Sequence, residues 1–260
     1  MSTSEARRAA PAILAALLSA RAARAEGEIR PRMPEPILTE SITDLDGTEA
    51  GEVEVDLNVG TLGALSGGDR IRGASVEAEW RATSRLGLVL EPSYDVEGGA
   101  GAPGLHAGVS YAVLHDLRHD LHVQVEAAAR LFGSEHSDAT IPGETALPLS
   151  LGVRAGIRAG HWTFRPSAGI EVGPRTADVP LWAGAALLHE LGAGGALGFF
   201  GVEVEADGAQ ATPFVVAPNY VVDLALAGVP CHVGLAIPWV VGAARATPQI
   251  GTYLRLLVEL

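Results

Sequence analysis

Acidic side chains at alternate positions are the most frequent chemistry-bearing residues of the chain. Between Glu52 and Val59, the three carboxylates Glu52, Glu54 and Asp56 share one face of an extended chain, and apolar side chains take the other face. Carboxylates at this spacing can pair with guanidinium groups, attract cations or line a water-filled space. The counter-charges are all arginine, because the sequence contains no lysine.

Two denser groups have the composition of metal sites. His115, His119 and His122 stand with two aspartates in the stretch HDLRHDLH, and the first two would share one face of a helix as a metal-binding pair. The surrounding pattern is that of a turn between strands, which favours solvated side chains and no metal. Asp44 and Asp46 lack the further ligands of a calcium loop, so we also expect a solvated turn there.

The sequence contains no recognisable set of catalytic residues. The short motifs of serine hydrolases, zinc proteases and P-loop enzymes are absent from it. An enzyme acting on membrane lipids would need a serine–histidine pair facing the lipid, whereas Ser150, Ser167 and His189 are expected at interior or turn positions. Cys231 is the single cysteine, which excludes an intrachain disulfide. We expect no enzyme activity and no cofactor.

Composition and charge narrow the class of protein. The 260 residues carry 31 acidic and 18 basic side chains, which gives a formal net charge of −13. This balance argues against nucleic-acid binding, which needs a basic surface. Apolar residues make up 48% of the chain, and that content excludes an intrinsically disordered protein.

The elements that must position these residues are strands, because the dominant period of the sequence beyond Gly51 is two. Most of the alternating segments exceed the usual five or six residues of a globular strand. Their length suits a tilted strand that crosses a bilayer, which needs about 9–11 residues. About twelve segments can be distinguished, at residues 51–64, 71–82, 86–96, 104–114, 120–132, 147–159, 161–173, 179–190, 196–206, 212–226, 229–241 and 248–260.

Connections and aromatic residues favour a membrane barrel over a soluble β-sandwich, which is the main alternative fold. Short connections, such as Thr83–Arg85 and Ala227–Gly228, alternate with longer ones, of which 133–146 is the longest. Outer-membrane barrels have this asymmetry, with long loops outside and short turns in the periplasm. Aromatic residues near segment ends would form the interfacial girdles. These are Trp80, Tyr94, Tyr111, Trp162, Phe214 and Trp239.

Two apolar stretches have a composition that could also fit membrane helices. Ala9–Ala20 is too short to span a bilayer and follows Arg7 and Arg8, which predicts a signal peptide, with an amphipathic helix as the alternative. The uncharged stretch 224–244 is long enough, but its prolines, glycines and alternation favour a strand. The predicted organisation is a signal peptide over 1–25, a periplasmic N-terminal segment and candidate plug over 26–50, and a transmembrane β-barrel over 51–260.

The charged faces of the segments predict a polar lumen. The fold class we expect is all-β, a membrane-spanning antiparallel up-and-down barrel whose apolar faces contact lipid. Acids outnumber bases on the other face, so an open pore would favour cations or neutral solutes. The alternative is an arginine–carboxylate network that fills a narrow barrel. The predicted lumen-lining residues are Glu52, Glu54, Asp56, Glu77, Glu79, Arg81, Glu126, Arg130, Arg154, Arg158, Arg165, Glu171, Glu203, Glu205, Asp223, Arg255 and Glu259.

The mature chain resembles small Gram-negative outer-membrane β-barrel proteins. The stretch from Ile37 to Gly60 (ILTESITDLDGTEAGEVEVDLNVG) is similar to the start of barrels related to the phenol-degradation transporter family, in which a short acidic segment precedes a first strand with alternating acids. This resemblance implies an outer-membrane transporter. The chain departs from the pattern at Leu260, where such barrels usually place an aromatic residue.

Three functions remain open at this point. The first is a small passive channel or transporter in the bacterial outer membrane, with an acid-rich lumen gated by 26–50 or by the loop 133–146. The second is a closed barrel with a structural or surface-binding role, and the third is a lipid-modifying enzyme. The expected partners are the lipid bilayer, the outer-membrane assembly machinery and a small cationic or neutral solute, without metal or nucleic acid.

Overall fold

The computed structural model describes most of the chain from residue 33 onward. The described residues are 33–38, 45, 50–64, 70–97, 100–116, 120–132, 149–172, 181–192, 197–207, 214–226, 229–241 and 248–260. They form thirteen strands, which are β1 (Val53–Ala64), β2 (Arg70–Thr83), β3 (Leu86–Glu97), β4 (Ala100–Asp116), β5 (Leu121–Phe132), β6 (Leu149–Ala159), β7 (Trp162–Val172), β8 (Leu181–Glu190), β9 (Phe199–Asp207), β10 (Phe214–Leu226), β11 (Val229–Ala236), β12 (Trp239–Val241) and β13 (Gln249–Glu259).

All the strands belong to one antiparallel sheet that closes on itself. Each of β1 to β10 pairs with the next strand in the chain, and β13 pairs with both β11 and β1. The seam between β1 and β13 is long, from Glu54 opposite Glu259 to Ala64 opposite Gln249. The predicted antiparallel up-and-down β-barrel is therefore confirmed, and the soluble β-sandwich is wrong.

β11 and β12 act as one strand of this barrel, because both lie between β10 and β13. The interruption falls at Ile237 and Pro238, and proline cannot donate a ladder hydrogen bond. Neighbouring strands still bridge it: the Ile237 amide donates to the Pro218 carbonyl at 3.0 Å, and the Gly251 amide donates to the Pro238 carbonyl at 2.9 Å. Counted this way, the described chain forms the twelve-strand barrel that the sequence predicts.

The distribution of polar and apolar side chains between surface and interior is the reverse of that in a soluble protein. Large apolar residues on the outer face are exposed, such as Leu57 at 46% and Leu254 at 51%, whereas inward-facing Glu54 and Asp56 are each 1% exposed. This distribution suits a barrel with lipid outside and a polar interior. All six aromatic residues proposed for the girdles point outward: Trp80, Tyr94, Tyr111, Trp162, Phe214 and Trp239.

The two ends of the barrel differ in their connections. At one end, called the turn end below, β2 is joined to β3 by Ser84–Arg85, and β6 is joined to β7 through Gly160, which has φ +64°. The other end, the loop end, carries the connection 133–148, which lies outside the described residues. Residues 229–236 of the apolar stretch 224–244 are in strand β11, so the helical alternative is wrong there. Across the described residues, no helix has the length and apolarity needed to cross a membrane.

An N-terminal segment lies inside the barrel. Ile37 is 2% exposed and belongs to a buried apolar cluster with Leu188, Phe199 and Val221, which face inward from β8, β9 and β10. Leu45 is fully buried. The predicted signal peptide over 1–25 and the Asp44 and Asp46 positions lie outside the described residues.

Candidate functional site

One wall of the lumen is densely acidic. On the inner faces of β1 and β2, Glu54 stands directly opposite Glu79, and Asp56 stands opposite Glu77. Like charges in opposite positions repel. Arg81, which is 1% exposed, offsets part of this repulsion by donating hydrogen bonds to the carboxylates of Glu52 at 2.7 Å and Glu54 at 3.1 Å.

Arg255 on β13 joins the acidic wall to the enclosed N-terminal segment. Its guanidinium donates to Oδ2 of Asp56 at 2.5 and 3.1 Å, which links the two strands that close the barrel. It also donates to the Pro36 carbonyl at 3.3 Å and to the Glu35 carboxylate at 3.3 Å. One arginine therefore holds both the seam and the segment.

Glu203 on β9 binds the same segment from another wall. Its carboxylate accepts hydrogen bonds from the backbone amides of Ile37 at 2.8 Å and Leu38 at 2.7 Å, and a third from the Asn219 side chain at 2.5 Å. Carboxylate–amide bonds of this kind are stronger than those between neutral groups. Glu203 is 1% exposed, so these bonds are shielded from water.

Further contacts extend the segment across the lumen. The Met33 carbonyl accepts a hydrogen bond from Arg165 on β7 at 3.2 Å. The Leu45 amide donates to the Gln124 side chain on β5 at 3.4 Å. Residues 33–38 and Leu45 therefore touch the wall at β5, β7, β9 and β13, which lie on different sides of the barrel.

The wall that faces the acidic strands carries arginine. Arg154 on β6 pairs with Glu126 and lies over the Trp182 ring, 5.3 Å from its centroid. Arg158 pairs with Glu190 at 3.1 Å and Asp120 at 3.3 Å near the turn end. Because β6 and β7 are about half a circumference from β1 and β2, these arginine–carboxylate pairs lie across the lumen from the acidic wall.

Two histidines bridge charged groups in the lumen, and the sequence reading missed them. His106 lies 3.3 Å from Glu91 and accepts a hydrogen bond from Arg130 at 2.9 Å. His232 lies 2.7 Å from Asp223 and 3.1 Å from Glu259. Their positions in the alternation of each strand could have predicted them, since both histidines share the inward face of their strands with buried residues.

In the structure, the predicted lumen residues occupy the alternate strand positions that face the inside of the barrel. They do not form one site, because they divide into the acidic wall, the arginine wall, the contacts to the N-terminal segment and the turn-end pairs. Asp223, at the turn end, is 38% exposed in its side chain. Inward-facing Glu171 and Glu205 are partly exposed on β7 and β9.

Three expectations from the sequence need correction. His189 points outward, not to the interior, and packs against Trp162 with ring centroids 4.4 Å apart. His122 is not a solvated turn residue, because it is 3% exposed and lies 2.7 Å from the Gln124 side chain. The inner face is also not uniformly polar: Val215, with the apolar cluster around Ile37, lines the interior at β8 to β11.

Comparisons with known proteins address the fold. No protein-family model and no curated protein matches the chain. Among solved structures, the crystal structure of an outer membrane channel from Pseudomonas putida F1 superimposes with a TM-score of 0.54 at 12% sequence identity, over 84% of this chain and 98% of that chain. The chain has the fold of an outer-membrane β-barrel.

More distant barrels resemble it less closely. The translocator domain of the autotransporter NalP from Neisseria meningitidis gives a TM-score of 0.43 at 13% identity, covering 83% of this chain and 91% of that one. OccK3 from Pseudomonas aeruginosa gives 0.37 at 13% identity, over 79% and 70%. Neither adds to the fold assignment. The resemblance to the phenol-degradation transporter family stays a prediction.

Proposed function

We propose that the protein is a small passive channel of the bacterial outer membrane, with the enclosed N-terminal segment, described at residues 33–38 and 45, as a plug that limits the flow of solutes. The observation that carries this proposal is the N-terminal segment held inside a charged lumen by Glu203, Arg165 and Arg255. The likeness to a solved outer membrane channel agrees with the proposal at the level of the fold.

The charge of the lumen determines what the channel would select. The acidic wall of β1 and β2 lowers the local potential, which favours cations and small neutral solutes over anions. The arginines on the opposite wall would orient a polar solute between two signs of charge. The bilayer and the outer-membrane assembly machinery are the partners that this function requires, and a cleaved signal peptide over 1–25 would supply export.

The plug can be tested by locking it reversibly. The Met33 Sδ atom lies 2.9 Å from the point where a Cβ on Gly156 would stand. Cysteines at both positions, in a Cys231→Ala background, should therefore lie close enough to be joined by a short thiol crosslinker whose disulfide bonds a reductant can cleave. The full chain is expressed in a Gram-negative host, extracted from its outer membrane and inserted into a planar bilayer. We expect low current from the crosslinked protein and higher current after a reductant is added.

A point variant tests the same contact without a crosslink. Glu203→Gln removes the charge from the hydrogen bonds to Ile37 and Leu38, and each charge-assisted bond contributes about 1.5–3 kcal/mol. A loss of about 1.4 kcal/mol shifts the plugged–open equilibrium about tenfold towards the open form. The control is Glu190→Gln, a lumen acid at the turn end whose carboxylate pairs with Arg158; this variant should conduct like the parent.

The currents also test the alternatives. A cation-selective reversal potential across a salt gradient supports the acid-lined pore, and an anion-selective one refutes it. Silence from folded protein before and after reduction, and from Glu203→Gln, would favour the closed structural or surface-binding barrel. Among the described residues no serine–histidine pair lies on the outer face, so the lipid-modifying enzyme has no supporting observation.

A further inference from the structure

We propose that Asp56, Glu77 and Glu79 bind one divalent cation of the Ca²⁺ type on the inner wall of β1 and β2. One carboxylate oxygen from each residue lies within 4.8 Å of the others. Oxygens on opposite sides of a Ca²⁺ ion are separated by about 5 Å, because each Ca–O bond measures about 2.3–2.6 Å. The three carboxylates therefore surround a volume of the right size.

The acidic wall lacks counter-charge at this point. Four carboxylates face one another in two directly opposed pairs, Glu54 with Glu79 and Asp56 with Glu77. Arg81 pairs with Glu54, and Arg255 pairs with Asp56.

Glu77 and Glu79 have no such neutralising partner. Within the described part of the chain, no arginine makes an ion pair with either side chain. With both side chains ionised, two negative charges lie in a largely buried position without an ion-pair partner, and a single divalent cation carries the charge that would balance them.

Unpartnered oxygens provide a second and independent observation. Oδ1 of Asp56 and Oε2 of Glu79 are buried and accept no hydrogen bond from the described residues. The two residues are 1% and 3% exposed. Leaving a carboxylate oxygen buried without a partner is costly, and a bound cation would satisfy both atoms at once.

The ligand chemistry favours Ca²⁺ over other cations. The proposed ligands are all carboxylate oxygens, which suit hard cations, and no histidine or cysteine belongs to the group. Three protein ligands leave room for the water molecules that complete the six to eight ligands of Ca²⁺. Glu77 is partly exposed, so these waters can come from the lumen. Mg²⁺ demands octahedral geometry at about 2.0–2.1 Å and is the poorer fit.

Calcium titration of the folded barrel tests the site directly. The full chain is expressed, extracted from the outer membrane in detergent, stripped with a chelator and titrated with CaCl₂ by calorimetry, and its thermal unfolding is followed with and without Ca²⁺. We expect one Ca²⁺ per barrel with a Kd of about 10⁻⁴ M, and a higher Tm in Ca²⁺ than in Mg²⁺ at equal ionic strength.

The variant Glu77→Gln/Glu79→Gln should lose at least about tenfold in Ca²⁺ affinity and the Ca²⁺-dependent rise in Tm. Without Ca²⁺ it should unfold at the same temperature as the parent or higher, because the repulsion between the opposed carboxylates is relieved. The unfolding temperature without Ca²⁺ therefore distinguishes a variant that has lost the site from one that is misfolded. The matched control, Glu190→Gln, removes a lumen acid on the far side of the barrel and should bind Ca²⁺ like the parent.

Either of two outcomes would overturn the proposal. Unchanged affinity in Glu77→Gln/Glu79→Gln would place the bound Ca²⁺ elsewhere. Absence of Ca²⁺ binding to the parent would mean that the carboxylates are neutralised by shared protons. Neither outcome depends on ion flow, so a barrel that is silent in a bilayer still gives a clear answer on this site.

Discussion

Individual charges inside the barrel matter through their partners. A buried ion pair gains little over an apolar packing of equal volume, but removing one member leaves a costly uncompensated charge. Arg81 and Arg255 illustrate this rule, since each is at most 5% exposed and contacts two carboxylates. The inward direction of such residues follows from the alternation along a strand, but which acid each arginine contacts depends on strand register and side-chain conformation, which that alternation does not specify.

Replacing Arg81 with methionine should lower the free energy of unfolding by about 3–5 kcal/mol. The variant keeps the apolar stem but leaves Glu52 and Glu54 buried without their guanidinium partner. Equilibrium urea unfolding in detergent micelles measures the change. Adding Glu52→Gln and Glu54→Gln to Arg81→Met should restore most of the loss. A loss below about 1 kcal/mol in the single variant would show that the ion pairs contribute little.

At the scale of elements, turns and the enclosed segment differ in how far the sequence predicts them. Alternation located the strands, and turn residues marked several of their ends, because a period of two and a glycine are local signals. The path of residues 33–38 is not local. It depends on partners such as Glu203, which is 166 positions away from Ile37 in the chain. The sequence therefore predicts a candidate plug over 26–50 but not the wall residues that bind it.

Two turn-end glycines should respond differently to alanine. Gly160 and Gly198 have φ values of +64° and +86°, a region that costs an L-residue about 1–2 kcal/mol. A Cβ at Gly160 meets nothing within 4 Å, whereas one at Gly198 would collide with the Val221 carbonyl. Gly198→Ala should therefore destabilise the barrel at least about twice as much as Gly160→Ala, as measured by the urea midpoint. Equal effects would show that the backbone at Gly198 moves enough to accommodate the added Cβ atom.

At the scale of the whole molecule, the closed sheet and its reversed polarity belong together. Closure leaves no strand edge exposed among the described strands, and the exposed apolar band then requires a nonpolar surrounding. Fold class and strand number could be predicted because most segments repeat the same alternation. The apolar inner positions of β8, β10 and β11 could not, because both faces of those strands are largely apolar and the sequence then does not show which face points inward.

An arginine at the middle of the outer face tests the membrane environment. Leu254 lies within β13 opposite Leu235 and Val59 and is 51% exposed. Leu254→Arg should cost about 2–4 kcal/mol when the barrel unfolds from lipid vesicles. The control Thr252→Arg, on the same face and nearer the loop end, should cost about 0–1 kcal/mol. A soluble barrel would show no cost at Leu254.

The seam between β1 and β13 also sets the order of folding. Asp56 and Arg255 meet across it although 199 positions separate them in the chain. Contacts of such high sequence separation form slowly, because most of the chain must be ordered before they are made. The ring is thus incomplete while its last strand is missing, and until then β1 and β11 present unpaired edges that invite aggregation. Closure of the ring is consequently a late step of folding, and the edges of β1 and β11 need protection until β13 pairs with both.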